Sequence, residues 1–413
     1  MSFLKRFFLV LLILLLPSQL GFHFWPSWSL VSGIRVDYLS PTVYLTDVIS
    51  VILVMLFRDE VQLIPSKLSL NTKKKLIVLG LFIALNIVFS TIPALSLYRW
   101  LRISLYILLA SLLLTERKVV RALFVNSIPV TLFWTCVLAL FQIAQRGSLN
   151  GVLYWLGERR FTVETPGIAL SKLMPFVSLR PYATLPHPNV LAGVILVLWL
   201  MWVILHKNKT GRFWYITCLV AVVILFTESY SAWLAIGFCG LFFLFAKVKV
   251  GMSTYLQKVL LLCVVFVSLL SPILFSFASI DVGSRIGKNT RERIALAIEA
   301  GFIGSQSPVL GSGLGTFVTK IPGALEIVPQ TFITGVTSLL QPVHNIPLLV
   351  FAEMGGLGIL LCISLFFSIP FTAPVIAILV ISLFDHYWMT LNQPLLVLLF
   401  LFVLHPYLTK PKP

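Results

Sequence analysis

SLRPYATLPHPNVLAGVILVLWLMWVILH, residues 178–206, decides the fold class. From Asn189 to His206 it contains no acid, lysine or arginine, and it comes close to the ~20 apolar residues that one membrane-spanning helix requires. Before that run, Pro181, Pro186 and Pro188 fall within eight residues and impose an irregular, extended approach. Arg180 and His187 stand on this approach, so a cationic and a titratable side chain meet the mouth of a span.

The same texture recurs along the chain. Hydrophobic residues make up 59% of the 413 residues and charged ones 11%. A soluble exterior takes about 25% charged residues, so soluble globular classes are excluded, and disorder fails for the same reason. A membrane protein remains, because lipid accepts an apolar exterior. Apolar windows near 4–22, 41–57, 76–93, 96–115, 119–144, 189–206, 213–227, 230–246, 256–277, 344–366, 368–384 and 387–407 predict about twelve transmembrane helices. The chain therefore reads as all-α, a single integral membrane domain over 1–413. Lys5 and Arg6 precede the first window as in a signal peptide, but no small-residue cleavage site follows, so a retained helix is expected.

Charge sorts with the alternation of loops. The even-numbered loops and both termini hold 18 of the 31 Lys and Arg residues and 3 of the 14 acids, whereas the other loops hold 11 and 9. The positive-inside rule then places both termini in the cytoplasm of a cytoplasmic (inner) membrane protein. The net charge of +17 becomes a signature of topology and of attraction to anionic lipid, not of nucleic-acid binding. All five cysteines lie in apolar runs without CxxC or Cys/His spacing. They read as buried small apolar residues, and no metal ion or cofactor is expected.

Two long loops, 145–188 and 278–343, fall on the external side and hold most of the polar motifs, so the working face is expected to be external. In the first loop, Asn189 suits the N-cap of the following helix. In the second, Asn289 and Glu292 have capping-box spacing, and Ile294, Ala297, Ile298, Gly301 and Phe302 recur at helical spacing. This predicts a short amphipathic helix on the membrane surface, with Arg291 in its first turn as an anion site. Gly311-Ser-Gly-Leu-Gly-Thr-Phe317 lacks the Lys-Ser/Thr of a phosphate-binding loop and reads as a turn. Gln341-Pro-Val-His-Asn-Ile-Pro347 opens the next span. His344 sits there at the interface, where an imidazole can take a proton from a hydroxyl, and Asn345 is placed to cap the helix. Glu353 is intramembrane and needs a partner or a cavity. Arg99 and Arg102 share one helix face; their counterpart is either Asp47 or an anionic substrate head group.

The series Arg180…His187-Pro-Asn189, Thr290-Arg291, Pro308-Val-Leu-Gly-Ser-Gly-Leu-Gly-Thr-Phe317 and Val343-His-Asn345…Glu353-Met-Gly-Gly-Leu-Gly358 resembles the O-antigen ligase and O-antigen polymerase superfamily. The likeness rests on the order and common face of these motifs across about 180 residues; the first 140 residues are similar in hydropathy alone. It implies a GT-C-like, metal-independent glycosyltransferase of the cell envelope. Such an enzyme takes a glycan from an undecaprenyl-diphosphate carrier and passes it to a hydroxyl of a lipid-linked acceptor, such as lipopolysaccharide, or of a growing glycan. Carried over by motif, Arg180 and Arg291 bind the diphosphate and His344 activates or orients the acceptor. Glu292-Arg293-Ile294 stands where the family usually has bulkier aromatics, which leaves Arg293 or Arg285 as substitutes for Arg291. His187, Asn189, Asn345, Arg99 and Arg102 complete the expected substrate-binding set. Ligase and polymerase differ only in acceptor. A transporter or flippase for an anionic glycolipid is the different-class alternative; it places polar groups near the midplane, where this chain has few.

Overall fold

The computed structural model describes residues 1–67, 69–173, 179–206, 210–247, 254–276, 287–333 and 335–409. Helices dominate. The strands are two short antiparallel pairs, Gly21–His23 with Thr42–Tyr44 and Leu30–Val31 with Ile34–Arg35. Each apolar window overlaps a helix, but the helices differ in length. Pro93–Gln145, Pro188–Leu205 and Ile346–Phe367 are the three helical stretches long and apolar enough to cross a membrane by length and composition, among the described residues. Others are shorter than expected. The first helix is Phe3–Leu14 and the eleventh window holds only Ala373–Ser382.

Local chemistry sets several starts. The side chains of Ser2, Ser69 and Asn345 accept from the backbone N–H three residues on, as N-caps do. Pro93 and Pro188 occupy first-turn positions, where a missing N–H costs nothing. The outer surface is apolar where a soluble protein is polar: Val88, Leu101, Phe266 and Leu274 are all more than half exposed. Cys218 and Cys263 share that surface, which corrects the expectation that every cysteine is buried.

The helix Pro188–Leu205 is the axis of the larger core, with nearly every side chain enclosed. Gly193 lies directly under Tyr387; a Cβ there would fall 1.9 Å from the phenol oxygen. A second core forms around the helix Lys288–Gln306, which packs on Ile346–Phe367 and Thr254–Ser276. This helix is the amphipathic segment of the second loop, with two differences. Its N-cap is Gly287, so Asn289 lies inside the helix and the Asn289/Glu292 capping box does not form. Every residue from Ile294 to Ala300 is buried, so neighbouring helices rather than a membrane surface enclose it. Glu299 is among them without a hydrogen-bond partner, and burial pushes its carboxyl up to about 8.

Ile346–Phe367 is broken at Gly355, whose φ of 64° is open to glycine and strained for any other residue. The break frees backbone groups, and the glycine-rich turn takes them up. Ser312 N and Gly313 N donate to the carbonyls of Ala352 and Glu353, while Gly356 N and Leu357 N donate to those of Pro308 and Val309. Both oxygens of the Glu353 carboxylate accept from backbone, at Gly315 N (2.8 Å) and Phe317 N (3.1 Å). The turn therefore cradles a carboxylate of its own chain, and Glu353 has its partner. Gly355→Val adds backbone strain of about 1–3 kcal/mol and drives a Cβ to 2.4 Å from the Val309 carbonyl. A lower unfolding temperature of the solubilised protein is the expected result, read by the thermal shift of tryptophan fluorescence.

Candidate active site

Five elements meet at one end of the helices. The start of Pro188–Leu205 brings Asn189, the turn before Tyr230–Lys247 brings Thr227 and Glu228, that helix's first turn brings Ser231, and Lys288–Gln306 brings Arg293. His344 precedes Ile346–Phe367, and Asp385 follows Ala373–Ser382. Asp385 is their hub. Its Oδ1 faces His344 Nδ1 at 3.1 Å and Arg293 Nη2 at 4.0 Å. Its Oδ2 accepts from Ser231 Oγ at 3.1 Å and Asn189 Nδ2 at 3.3 Å. Burial alone would raise this carboxyl, but the His344 hydrogen bond and the cationic neighbours outweigh it and hold Asp385 below its ordinary value.

From this hub a continuous path of hydrogen bonds runs both ways. Asn189 Oδ1 accepts from Arg180 Nη2 at 2.7 Å. Arg180 Nε donates to the Thr227 carbonyl at 2.6 Å. On the other side, His344 Nε2 faces Gln341 Oε1 at 3.3 Å, and Gln341 Nε2 donates to the Ser338 carbonyl at 2.8 Å. Arg180 and His344 thus belong to one constellation, joined through Asn189 and Asp385.

Arg293 joins it and Arg291 does not. Residues two apart on a helix point about 200° apart, so one of the pair at most can face Asp385. Arg293 also donates to the Phe384 carbonyl at 2.9 Å, which fixes its guanidinium beside the hub. Arg291 lies round the helix with Nε buried and unbonded. Arg285 lies outside the described residues.

Asn189 is not the N-cap. His187 takes that position, its Nδ1 accepting from Asn189 N at 3.1 Å, which frees the Asn189 side chain to bridge Arg180 and Asp385. Burial, then the Arg180 charge, lowers His187 to about 3, so it is a neutral cap. His386, its ring 5.2 Å from that of His344, is lowered to about 3 by burial and then by the His344 charge. Its Nδ1 pairs with Thr390 Oγ1 at 2.8 Å. Asn345 caps its helix through Leu348 N and reaches Ser268 Oγ and the Leu383 carbonyl.

The two arginines of Pro93–Leu113 divide. Arg102 pairs with Asp47 at 3.0 Å, donates to the Thr42 carbonyl and lies over the rings of Tyr98 and Tyr44, so its counterpart is structural. Arg99 donates to the carbonyls of Thr390 and Tyr38 and faces a cavity shared with Glu353 and Pro342.

Residues 215–363 match the family model described as O-antigen ligase. Over this segment the chain is similar to that family. The segment takes in Ser231, Arg293, Gln341, His344 and Glu353, while Arg180, Asn189 and Asp385 flank it. Ligases and polymerases of this family are membrane-embedded glycan transferases. No curated protein and no solved structure matches the chain.

Sequence reasoning missed Asp385, Ser231 and Gln341. Asp385 had a signal: an Asp-His pair, Asp385-His386, in a short loop between two apolar windows on the side expected to be external. Ser231 and Gln341 had none beyond polarity.

Proposed function

We propose that the protein transfers an oligosaccharide or polysaccharide from an undecaprenyl-diphosphate carrier to a hydroxyl of a lipid-linked or glycan acceptor. The reaction takes place on the outer face of the inner membrane and involves no metal ion. The observation that carries this reading is the bonded path Arg180–Asn189–Asp385–His344, with Arg293 on the same carboxylate. It sets an imidazole backed by a carboxylate beside two guanidiniums. That combination serves one reaction class well. The acceptor oxygen attacks the anomeric carbon, its proton passes to His344, and the anomeric carbon–oxygen bond breaks toward the diphosphate. Asp385 stabilises the imidazolium that forms. The arginines neutralise the charge growing on the leaving diphosphate.

The helix break at Gly355 is a feature shared with transporters, which use unwound backbone to bind cargo. Here the freed groups at Ala352, Glu353, Gly356 and Leu357 are bonded to residues 308–313, so the break offers no open site for cargo.

The test is transfer of a radiolabelled undecaprenyl-diphosphate oligosaccharide by purified protein in liposomes containing EDTA and acceptor. Arg180→Ala and Arg293→Ala are expected to lower the rate roughly 10²–10³-fold, as loss of a preorganised charge stabiliser does. Arg291→Ala is expected to cost far less. A wild type that only moves the donor between leaflets overturns the transferase reading. Equal losses at Arg291 and Arg293 overturn the choice of Arg293.

A further inference from the structure

The orientation of Gln341 is fixed from behind. Its Nε2 donates to the Ser338 carbonyl, so its Oε1 points at His344 Nε2. The opposite amide orientation would set two oxygens against each other at 2.8 Å. The other ring nitrogen of His344 faces the Asp385 carboxylate. Both ring nitrogens therefore face acceptor oxygens, an arrangement that suits a hydrogen donor at each. A ring so held has no lone pair with which to take a proton from an incoming hydroxyl.

We infer that Gln341 is a place-holder for the acceptor. Its amide oxygen occupies the position against His344 Nε2 that the acceptor hydroxyl oxygen must take, and the acceptor engages only by displacing it. This rests on the transferase reading and adds the position of the second substrate. The next residue, Pro342, lines the cavity that Arg99 and Glu353 share, so that cavity adjoins the Gln341 backbone. Arg293 faces Asp385 directly and Arg180 reaches it through Asn189, and Asp385 lies against the opposite ring nitrogen. The acceptor therefore enters from the Arg99 side and the diphosphate from the Arg180 side.

Protons balance over one turnover. Displacing Gln341 lets Nε2 release its proton to solvent, and the acceptor hydroxyl donates to the lone pair left behind. During transfer that proton moves to Nε2 as the new carbon–oxygen bond forms and the diphosphate departs with the electron pair of the broken one. The ring is then doubly protonated again and matches the Gln341 oxygen, which favours return of the side chain and release of product. Gln341 is a positioning residue, acting through His344.

Two measurements on the full chain in liposomes test this. One is transfer kinetics with acceptor varied at saturating donor. The other needs no turnover: the rate at which diethylpyrocarbonate, which attacks a free imidazole nitrogen, modifies the His344 peptide, read by mass spectrometry. Gln341→Ala is expected to lower the KM for acceptor and to speed His344 modification, each about fivefold, the weight of one ordinary hydrogen bond. Gln341→Glu places a full charge against the ring and is expected to slow modification and to raise the acceptor KM, with the donor KM unchanged. A Gln341→Ala protein with lower kcat, unchanged acceptor KM and unchanged modification overturns the inference, because Gln341 would then support the ring rather than occupy its partner's place. Faster modification in Gln341→Ala with no transfer by wild type sinks the transferase reading and leaves the occlusion of His344 standing. No transfer and no difference in modification sink both.

Discussion

His344→Ala is expected to reduce transfer by about 10³–10⁴-fold, near the upper range for loss of a positioned general base. The structure gives the reason for so large an effect. His344 is the one imidazole of this cluster that holds both a carboxylate at Nδ1 and an oxygen at Nε2. His187 and His386 are close, but each commits a ring nitrogen to a cap or a hydroxyl and both stay neutral down to about 3. Neither is placed to take over. Donor binding is expected to survive, because Arg180 is held by Asn189 and the Thr227 carbonyl rather than by His344. The measurement is single-turnover transfer beside equilibrium binding of labelled donor. Lost transfer with donor affinity intact supports the assignment, and transfer within tenfold of wild type removes His344 from the chemistry.

Asp385→Asn is expected to cost about 10²–10⁴-fold, since an amide beside the imidazole can donate, set the wrong tautomer and give the imidazolium no counter-charge. The substitution keeps volume, so the core around Tyr387 and Trp388 is not emptied. It removes one acceptor from Ser231, Asn189, Arg293 or His344, whose donors converge on the two carboxylate oxygens. A role confined to stability would lower the unfolding temperature and leave the pH profile of the surviving activity in place. A role through His344 shifts that profile, because the depressed Asp385 carboxyl keeps its charge below the ordinary aspartate value of about 4 while the amide carries none. The comparison is therefore of pH–rate profiles at matched folded fraction. An Asp385→Asn enzyme with wild-type kcat and pH profile would return Asp385 to a purely structural part.

Much of this was legible in the residues. Apolar windows found the helices, because a run of apolar side chains is the condition for burying a helix on all sides. Pro188 and Pro347 sit at helix starts where ring geometry demands it, and Asn345 caps as its position suggested. His344 and Arg180 were legible as polar groups at span mouths. Other features were not, for physical reasons. The exchange of cap between His187 and Asn189 turns on which side chain finds a better partner, and the partner, Asp385, lies 196 residues away. Whether Arg291 or Arg293 faces the hub depends on the rotation of a helix whose central residues are buried on every side, so no apolar stripe marks its inner face. Arg102 found Asp47 and Arg99 found carbonyls, a division set by the crossing of helices rather than by their sequences. The glycine-rich turn offered its N–H groups to a carboxylate, and only the fold could show that Glu353 supplies it.

The broken helix also sets an order of assembly. Ribosomes deliver residues 308–313 before residues 352–357, and the backbone bonds between them exist only when both are present. An unpaired peptide group in hydrocarbon costs several kcal/mol, so Ile346–Phe367 cannot rest in lipid with its break open. During synthesis the glycine-rich turn must wait until that helix arrives to meet it. The helix in turn settles only by closing on the turn. The glycine-rich segment is thus a clasp that fastens late, and the end of the molecule bearing His344 takes its final form in the last steps of biogenesis.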